Sequence, residues 1–312
     1  MGHHILVTGG AGYLGSILVP ELLRMGNRVT VLDNFTYKQN SLSHVCNDEN
    51  FQVIKGDVRL KKTLLPLLKE VEIIIPLAAL VGAPLCEQDP INAKTINHDS
   101  MLDLFEWTHS DQYILMPTTN SAYGTGDKSS FCSEESKLYP ISQYAQEKVL
   151  VEKALMERPN SISFRLATVF GMSPRMRIDL LVNDFVYRAI HDRFIVLFES
   201  HFKRNYIHVR DVTRAFLHAI KNLHKMKGEV YNVGLSEANL SKQELCERIQ
   251  NFVPDFVFQE ASVGKDPDQR NYIVSNEKLE KTGFKPVYSL ENGIQELIKG
   301  YAMLQNTRYT NI

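Results

Sequence analysis

Apolar residues recur along the first half of the chain in short continuous runs, separated by stretches of helical character. Continuous apolar runs, rather than alternating ones, are typical of strands buried on both faces of a parallel sheet. The six runs are ILVTG, RVTVLDN, FQVIKGD, EIIIPLAA, YILMPTT and SISFRLATV. They predict an α/β fold with a doubly wound parallel sheet of the Rossmann type.

The regular succession of apolar runs and helical stretches ends after Gly171. A helix is predicted in MSPRMRIDLLVNDFVYRAI, after Pro174 and a basic turn, and a last helix is predicted with Ser289 as its N-cap. GEVYNVG is expected to return to the sheet. At about 150 residues per domain, the 312 residues suggest about two domains. The predicted division is a main domain of 1–170 to which 205–235 returns, and a smaller substrate-binding lobe of 171–204 and 236–312.

Charge and composition exclude several classes of partner. Lys and Arg total 35 against 36 for Asp and Glu, so no overall basic field gathers nucleic acid or a membrane surface. The four cysteines lie far apart without a C-x-x-C pair, which fits a reducing cytoplasm rather than disulfides or zinc. His3 and His4 would face opposite sides of a strand, so we expect no metal. Since no apolar run is long enough to span a membrane and the first strand follows the start directly, we expect a cytoplasmic protein.

A glycine motif follows the first predicted strand. In TGGAGYLGS, Gly9, Gly12 and Gly15 have G-x-x-G-x-x-G spacing and open a helix that is expected to reach about Met25. Such glycines let the pyrophosphate of a dinucleotide approach the helix N-terminus. Asp33, at the end of the second strand, would accept hydrogen bonds from the adenosine ribose and repel the extra phosphate of NADP, which favours NAD.

Other strand ends extend this predicted cofactor site. Asp57 is expected at the adenine edge, although both it and Asp33 have the alternative of being simple turn formers. The small residues of PLAALVG would line the cofactor channel. The predicted NAD contacts are Gly9, Gly12, Tyr13, Leu14, Gly15, Asp33, Asn34, Asp57, Val58, Leu77, Ala78, Ala79, Asn97, Tyr144 and Lys148.

Two further motifs carry candidate catalytic groups. Tyr144 and Lys148 are four residues apart in YPISQYAQEKVLVEKAL, so a helix would place them on one face. A nearby ammonium favours the phenolate and would bring the tyrosine pKa from about 10 towards neutrality. Taken alone, the pair is better explained by a surface Tyr and Lys on an amphipathic helix, and only its combination with the glycine motif and the hydroxyl cluster favours a catalytic role. TTNSAYG, behind the fifth run, adds a cluster of hydroxyl groups.

Together these motifs resemble the extended short-chain dehydrogenase/reductase family, in its branch of nucleotide-sugar epimerases, dehydratases and dehydrogenases. The resemblance spans nearly the whole chain. It implies that Tyr144 and Lys148 are the catalytic Tyr-x-x-x-Lys pair, that Thr119 is the catalytic hydroxyl residue, and that Ser121 is a second hydroxyl position found in epimerases. The implied chemistry is removal of the hydroxyl proton at C4 of a sugar by the tyrosinate while NAD accepts the hydride.

The residues after Thr119 bear on the outcome of that oxidation. A 4,6-dehydratase of this family has Asp and Glu there, whereas this chain has Asn120 and Ser121. Neither side chain acts as an acid or base near neutral pH. Dehydration is therefore disfavoured, and the ketosugar either is the product or is reduced again after rotation.

The resemblance also implies a substrate site. Arg204 and Arg270 fall on arginines that bind the substrate diphosphate, and Asn183 on a position contacting it; guanidinium groups suit phosphate because they bind bidentately. Thr168 stands where many relatives have Asn, so it can donate only one hydrogen bond. Two arginines of SPRMR are further candidates, with an exposed basic turn as the alternative. The predicted substrate contacts are Thr168, Arg175, Arg177, Asn183, Arg204 and Arg270.

Longer stretches of the sequence narrow the range of expected substrates. PLAALVGAPLC, FRLATVFGMSPRMRIDLLVNDF and RNYIHVRDV are especially similar to NAD-dependent 4-dehydrogenases that act on GDP-glycero-manno-heptose in bacterial capsule synthesis. We therefore expect oxidation at C4 of GDP-D-glycero-D-manno-heptose, with a UDP-glucose 4-epimerase type of reaction as one alternative and a non-catalytic NAD-binding sensor as another. A homodimer is expected, paired through helices near residues 95–108 and 144–157.

Overall fold

The computed structural model describes residues 2–38, 40–125, 131–261 and 270–304. The strands are β1 His4–Thr8, β2 Arg28–Asp33, β3 Phe51–Lys55, β4 Ile73–Pro76, β5 Tyr113–Thr119, β6 Ser161–Leu166, β7 Thr168–Phe170, β8 Phe194–Leu197, β9 Lys203–His208, β10 Glu229–Val233, β11 Asn239–Ser241 and β12 Val257–Glu260. The helices are α1 Gly15–Arg24, α2 Lys61–Leu68, α3 Ala83–Gln88, α4 Pro90–Lys94, α5 Ser100–Trp107, α6 Gln143–Met156, α7 Leu181–His191, α8 Val209–Lys221, α9 Leu223–Met226, α10 Lys242–Gln250, α11 Glu277–Glu280 and α12 Leu290–Tyr301. A π-helical turn, Thr95–Asp99, joins α4 to α5, and 3-10 turns cover Ser43–Val45 and Asn120–Tyr123.

The main sheet has seven strands in the order β10-β6-β5-β4-β1-β2-β3, and every described pair in it is parallel. Ile5, Leu6 and Val7 of β1 are all 0% exposed, although successive side chains of a strand point to opposite faces. Both faces are therefore covered, as the continuous apolar runs predicted. The strand order reverses around β1, which lies between β2 and β4, and such a reversal opens a crevice at the carboxyl ends of the strands.

The run SISFRLATV was predicted as one strand, and this is wrong. The chain leaves the main sheet at Ala167, whose N–H donates to the carbonyl of Val233 (2.9 Å). β6 stays in the main sheet, while β7 pairs with β9 in a separate sheet of order β11-β9-β7. β10 pairs in parallel with β6, so the predicted return of GEVYNVG to the sheet is confirmed.

Besides the hydrophobic clusters that cover the main sheet, a separate cluster is built from later parts of the chain. It gathers Phe170 and Tyr206 with residues of α7, α10 and α12. α7 begins only at Leu181, after the basic turn, and α12 begins after Ser289, whose side chain accepts from the N–H of Asn292 (3.1 Å). The cluster is compatible with a second lobe, whose proposed boundaries stay a prediction. Within the described ranges, no helix has the length and apolar character needed to cross a membrane.

Candidate active site

Two adjoining cavities open at the carboxyl ends of the main-sheet strands. The larger, of about 550 Å³, is bordered by the ends of β1, β4, β5 and β6, and the smaller, of about 300 Å³, by the ends of β2 and β3. Gly9, Gly12, Tyr37 and Arg175 border both cavities. The two spaces therefore form one groove that crosses the opening of α1.

The glycine motif shapes the middle of this groove. Gly9 has a φ of +67°, and a Cβ there would lie 2.6 Å from the backbone nitrogen of Ala78. A Cβ on Gly15 would lie 2.4 Å from the carbonyl oxygen of Gly10, so the helix can start this close to the turn only with glycine. α1 has neither a side-chain cap nor an acidic residue in its first turn. Its N-terminal amides and dipole therefore suit an anionic ligand.

Asp33 holds the turn and borders the smaller cavity. Its carboxylate accepts from the N–H of Ala11 (3.0 Å) and of Phe35 (2.8 Å). A carboxylate fixed in this way keeps lone pairs for further donors, such as ribose hydroxyl groups. The glycine turn, the uncapped helix and this carboxylate thus fit a dinucleotide.

Most predicted cofactor residues border this groove. The larger cavity is lined by Gly9, Gly12, Tyr13, Leu14, Gly15, Leu77, Ala79, Tyr144 and Lys148, and the smaller one by Asp33, Asn34, Asp57, Val58 and Ala78.

Asn97 does not border either cavity. It is 0% exposed, and its side chain bonds the loop after β4: Oδ1 accepts from the N–H of Leu80 (2.8 Å), and Nδ2 donates to the carbonyl of Leu80 (2.9 Å). Its observed role is to shape the cavity wall, and direct contact with NAD stays a prediction.

Asp57 has a partner that the sequence analysis missed. Arg59 Nη2 lies 2.6 Å from Asp57 Oδ2, and this guanidinium lowers the pKa of the carboxyl. Arg59 also donates to Asn92 Oδ1 (2.7 Å) and so ties the smaller cavity to α4. The D-x-R spacing in KGDVR was the available signal.

All four predicted catalytic residues border the larger cavity. Thr119 Oγ1 donates to Ser121 Oγ (2.9 Å), and the N–H of Ser121 donates to Thr119 Oγ1 (3.1 Å). Arg270 Nη1 also donates to Ser121 Oγ. Arg270 thus reaches the hydroxyl pair itself, which its predicted role at the substrate diphosphate did not anticipate.

Burial shifts the pKa values of both Tyr144 and Lys148. Burial raises the pKa of Tyr144 to about 12; Cys86 raises it further, and Arg177 and Arg270 oppose the shift. Burial lowers the pKa of Lys148 to about 8, with Cys86 and Glu147 opposing. Among the protein's own groups, loss of hydration therefore dominates both pKa values, and the lowering of the tyrosine pKa by Lys148 in the working enzyme stays a prediction.

The predicted substrate residues fall into two groups. Thr168, Arg175, Arg177, Arg204 and Arg270 border the larger cavity. Asn183 borders neither and is 0% exposed; its Oδ1 accepts from the N–H of Gly171 (3.0 Å), and its Nδ2 donates to the carbonyl of Arg177 (2.8 Å). Asn183 thus shapes the loop after β7, and its contact with substrate stays a prediction.

The SPRMR segment is not an exposed basic turn. Arg175 is 2% exposed and Arg177 is 7% exposed. Arg177 is ion-paired with Asp179, and the Arg175 guanidinium carbon lies 3.9 Å from the centre of the Tyr37 ring. The alternative of a solvated turn is therefore wrong.

Sequence reasoning missed several residues of the cavity walls. Tyr37, from the loop after β2, and Asp179 were not singled out, and neither was Lys242, which is 4% exposed and donates to the carbonyl of Phe198. Lys242 begins α10, far along the chain from the other lining residues. No local pattern marks such a residue, because only tertiary packing brings α10 to the cavity.

Comparison with known proteins places the chain among nucleotide-sugar enzymes. The sequence profile described as "NAD dependent epimerase/dehydratase family" matches residues 5–234. The UDP-N-acetyl-alpha-D-glucosaminuronate decarboxylase of Bacillus cytotoxicus is 25% identical over 332 residues, covering 98% of this chain and 100% of that protein. The CDP-paratose 2-epimerase of Salmonella typhi is 24% identical, covering 94% and 97%. The fold is similar to that of the Thermus thermophilus UDP-glucose 4-epimerase complex with NAD (TM-score 0.83, 23% identity, covering 96% and 99%).

Proposed function

Because the chain belongs to the NAD dependent epimerase/dehydratase family, whose cofactor is NAD, we propose that it oxidises C4 of a nucleotide-diphosphate sugar. The observation that carries this proposal is the cavity that is lined by Thr119, Tyr144 and Lys148 together with several arginines. NAD supplies the hydride acceptor. Tyr144, acting as the phenolate that the Lys148 ammonium favours, takes the proton of the C4 hydroxyl, and the hydroxyl pair of Thr119 and Ser121 donates a hydrogen bond to the reacting oxygen.

The surroundings of Thr119 support oxidation over dehydration. Asn120 is 0% exposed and does not border the cavity, and an amide is neither an acid nor a base near neutral pH. It therefore supplies no acid to the cavity. Two carboxylates do border the cavity, and each is held by an arginine: Asp179 by Arg177 and Asp184 by Arg188. Among the described residues that line the cavity, no carboxylate lies next to Thr119 in the chain, and the two that are present are already paired with arginines.

We assign GDP-D-glycero-D-manno-heptose as the first substrate to test, with a cytoplasmic role in capsule or surface polysaccharide synthesis. The strings around PLAALVGAPLC and SPRMR support this choice through their similarity to GDP-heptose 4-dehydrogenases. Arg177 and Arg204 supply the guanidinium groups that suit its diphosphate.

A C4 epimerase is an equally good interpretation of these residues. Epimerisation starts with the same oxidation and differs only in the return of the hydride after the ketosugar rotates. The similarity to UDP-glucose 4-epimerase supports this second candidate. A non-catalytic NAD sensor has less support, since a binding protein has no need of Tyr144 together with Thr119.

The deciding experiment is mass spectrometry of GDP-heptose, UDP-hexoses and UDP-glucuronate after incubation with enzyme and NAD, with and without a ketoacid that reoxidises NADH. A loss of about two mass units from GDP-heptose, which corresponds to oxidation of one hydroxyl to a ketone, supports the 4-dehydrogenase. A new isomer of unchanged mass supports the epimerase, and loss of carbon dioxide from UDP-glucuronate supports a decarboxylase instead. No change in any nucleotide sugar would refute both leading candidates.

Tyr144→Phe is the matched control, because it removes only the phenolic oxygen. We expect it to abolish turnover while NAD binding is retained. Unchanged turnover in this variant would refute the role of Tyr144.

A further inference from the structure

Arg175 and Tyr37 meet where the two cavities join. Both residues border both cavities, as do Gly9 and Gly12 of the glycine turn. Tyr37 comes from the loop after β2 and Arg175 from the loop after β7, so each reaches the junction from a different element. The guanidinium carbon lies 3.9 Å from the ring centre, which is the distance of a stacked cation and aromatic ring.

Hydrogen bonds tie the loop of Arg175 to the opening of α1. Ser173 Oγ donates to the carbonyl of Tyr13 (2.7 Å) and lies 2.8 Å from Ser16 Oγ. Tyr13 OH donates to the carbonyl of Gly171 (2.6 Å). The loop is thus fixed to the helix terminus that suits a pyrophosphate, and these bonds hold Arg175 beside the cofactor groove.

The other arginine of SPRMR lies in a different place. Arg177 borders only the larger cavity, and Asp179 already neutralises its charge. Arg175, in contrast, borders both cavities and interacts electrostatically with Asp33, which borders the smaller cavity. The two neighbouring arginines therefore occupy different places, Arg175 at the junction of the cavities and Arg177 within the larger one.

The loop of Tyr37 is held in an uncommon conformation. Phe35 and Lys38 on either side have φ values of 56° and 52°, in the left-handed region that favours glycine. The N–H of Phe35 is fixed by Asp33 Oδ1 (2.8 Å), and the N–H of Lys38 donates to the carbonyl of Phe35 (3.0 Å). Such backbone persists where surrounding bonds enforce it. Here the bonds aim the Tyr37 ring at the groove.

We propose that Arg175 and Tyr37 form a clasp over the pyrophosphate of NAD. Arg175 donates to the phosphate oxygens, and the Tyr37 ring holds the guanidinium in place. Arg175 is therefore assigned to the cofactor and not, as the sequence analysis expected, to the substrate diphosphate. Because the pair contacts the phosphates, its loss weakens NAD binding and speeds NAD release, whichever sugar is oxidised.

The test measures binding of NAD alone to enzyme freed of cofactor, by calorimetry for the dissociation constant and by stopped-flow displacement for the release rate. We expect Arg175→Gln and Tyr37→Ala to weaken NAD binding by about tenfold or more and to speed its release, since a charge-assisted hydrogen bond is lost or misplaced. Tyr37→Phe keeps the ring and should behave like wild type. Arg177→Gln is the matched control and should leave NAD binding unchanged.

A ligand series locates the contact. Arg175→Gln should weaken binding of NAD and ADP but not of adenosine, which has no phosphate. Wild-type NAD affinity in Arg175→Gln, or an equal loss for adenosine, would overturn the proposal, as would weaker NAD binding in Arg177→Gln alone. If circular dichroism shows that Arg175→Gln is unfolded, Arg175→Lys takes its place: it keeps the charge but loses the planar stack, and wild-type release of NAD from it would equally overturn the clasp.

Discussion

The hydroxyl of Ser121 accepts hydrogen bonds from both Thr119 and Arg270, so its own hydrogen is available for another acceptor. The hydrogen of Thr119, in contrast, is already donated to Ser121. We therefore infer that Ser121 makes the direct contact with the sugar oxygen and that Thr119 positions it. This reverses the order of importance that the family resemblance implies for the two residues.

Substitutions at the two positions test this order. We expect Ser121→Ala to lower kcat by about a hundredfold, the usual effect of removing one donor to a developing oxyanion. Thr119→Ser keeps the hydroxyl and should retain most of the activity. Steady-state kinetics with the identified nucleotide sugar provide the measurement. Near-normal kcat in Ser121→Ala together with a large loss in Thr119→Val would show that Thr119 makes the contact.

Lys148 illustrates how a buried charge links activity to stability. Its pKa is about 8, below the ordinary 10.5, so between these pH values the unfolded chain binds more protons than the folded one. The free energy of unfolding should therefore rise with pH from about 8 to about 10. Below pH 8 burial of the ammonium destabilises the fold.

Lys148→Met should consequently stabilise the cofactor-free enzyme at pH 7, by about 2 kcal/mol, and by less at pH 9.5. Urea denaturation at the two pH values measures the effect. Lys153→Met, at an exposed position of the same helix, is the control and should change little. A stabilisation that is equal at both pH values would mean that the charge of Lys148 is not its cause.

α6, which carries Tyr144 and Lys148, is attached to the sheet by a buried polar network around Glu152. Glu152 Oε2 accepts from Thr118 Oγ1 (2.8 Å) of β5 and from Ser163 Oγ (2.7 Å) of β6. Its Oε1 accepts from Arg165 Nη2 (2.6 Å), and both charged residues are 5% exposed. The network fixes the catalytic helix relative to the strand that ends in Thr119.

Glu152→Gln should lower the free energy of unfolding by about 3 kcal/mol, because it leaves the Arg165 charge buried without its carboxylate. Glu157→Gln, at an exposed position just beyond α6, should be nearly neutral. Chemical denaturation followed by circular dichroism compares the two variants. Equal stabilities would show that Arg165 finds compensation elsewhere.

The proposed homodimer concerns the outer surfaces of α5 and α6. Leu102 on α5 is 37% exposed and Leu150 on α6 is 56% exposed, on the helical segments predicted to pair. Burying such side chains stabilises association by about 25 cal/mol per Å² of apolar surface. We expect sedimentation velocity to give a dimer.

Leu150→Glu should shift the protein to monomer, because it would bury an unpaired charge in the interface. Val287→Glu is the control, since Val287 is 59% exposed and its N–H donates to Asp211 of α8, a helix outside the predicted interface. A wild-type monomer would contradict the proposal directly. An unchanged dimer in Leu150→Glu would place the interface elsewhere.

Much of the fold and of the cofactor half of the site was predictable from local sequence. Gly9, Gly15 and Asp33 lie within one strand-turn-helix-strand segment, and their roles follow from backbone geometry that only nearby residues influence. The Tyr144 and Lys148 pair was predictable for the same reason, since helical spacing alone places both on one face. The break between β6 and β7 was not predictable from local sequence. It arises because β6 pairs with β10 in the main sheet, whereas β7 pairs with β9 in another sheet.

The sequence by itself therefore determined the parallel sheet, the glycine turn, the helix that carries the proposed catalytic pair, and the absence of a carboxylate at the two positions after Thr119. Only the tertiary structure decided that Ser121 is the meeting point of Thr119 and Arg270, and that Arg175 stacks on Tyr37 at the cavity junction. It also decided that Tyr144 and Lys148 are buried with shifted pKa values. The physical reason is that helix periodicity and glycine turns act over a few residues, whereas desolvation and stacking depend on which distant segments pack together.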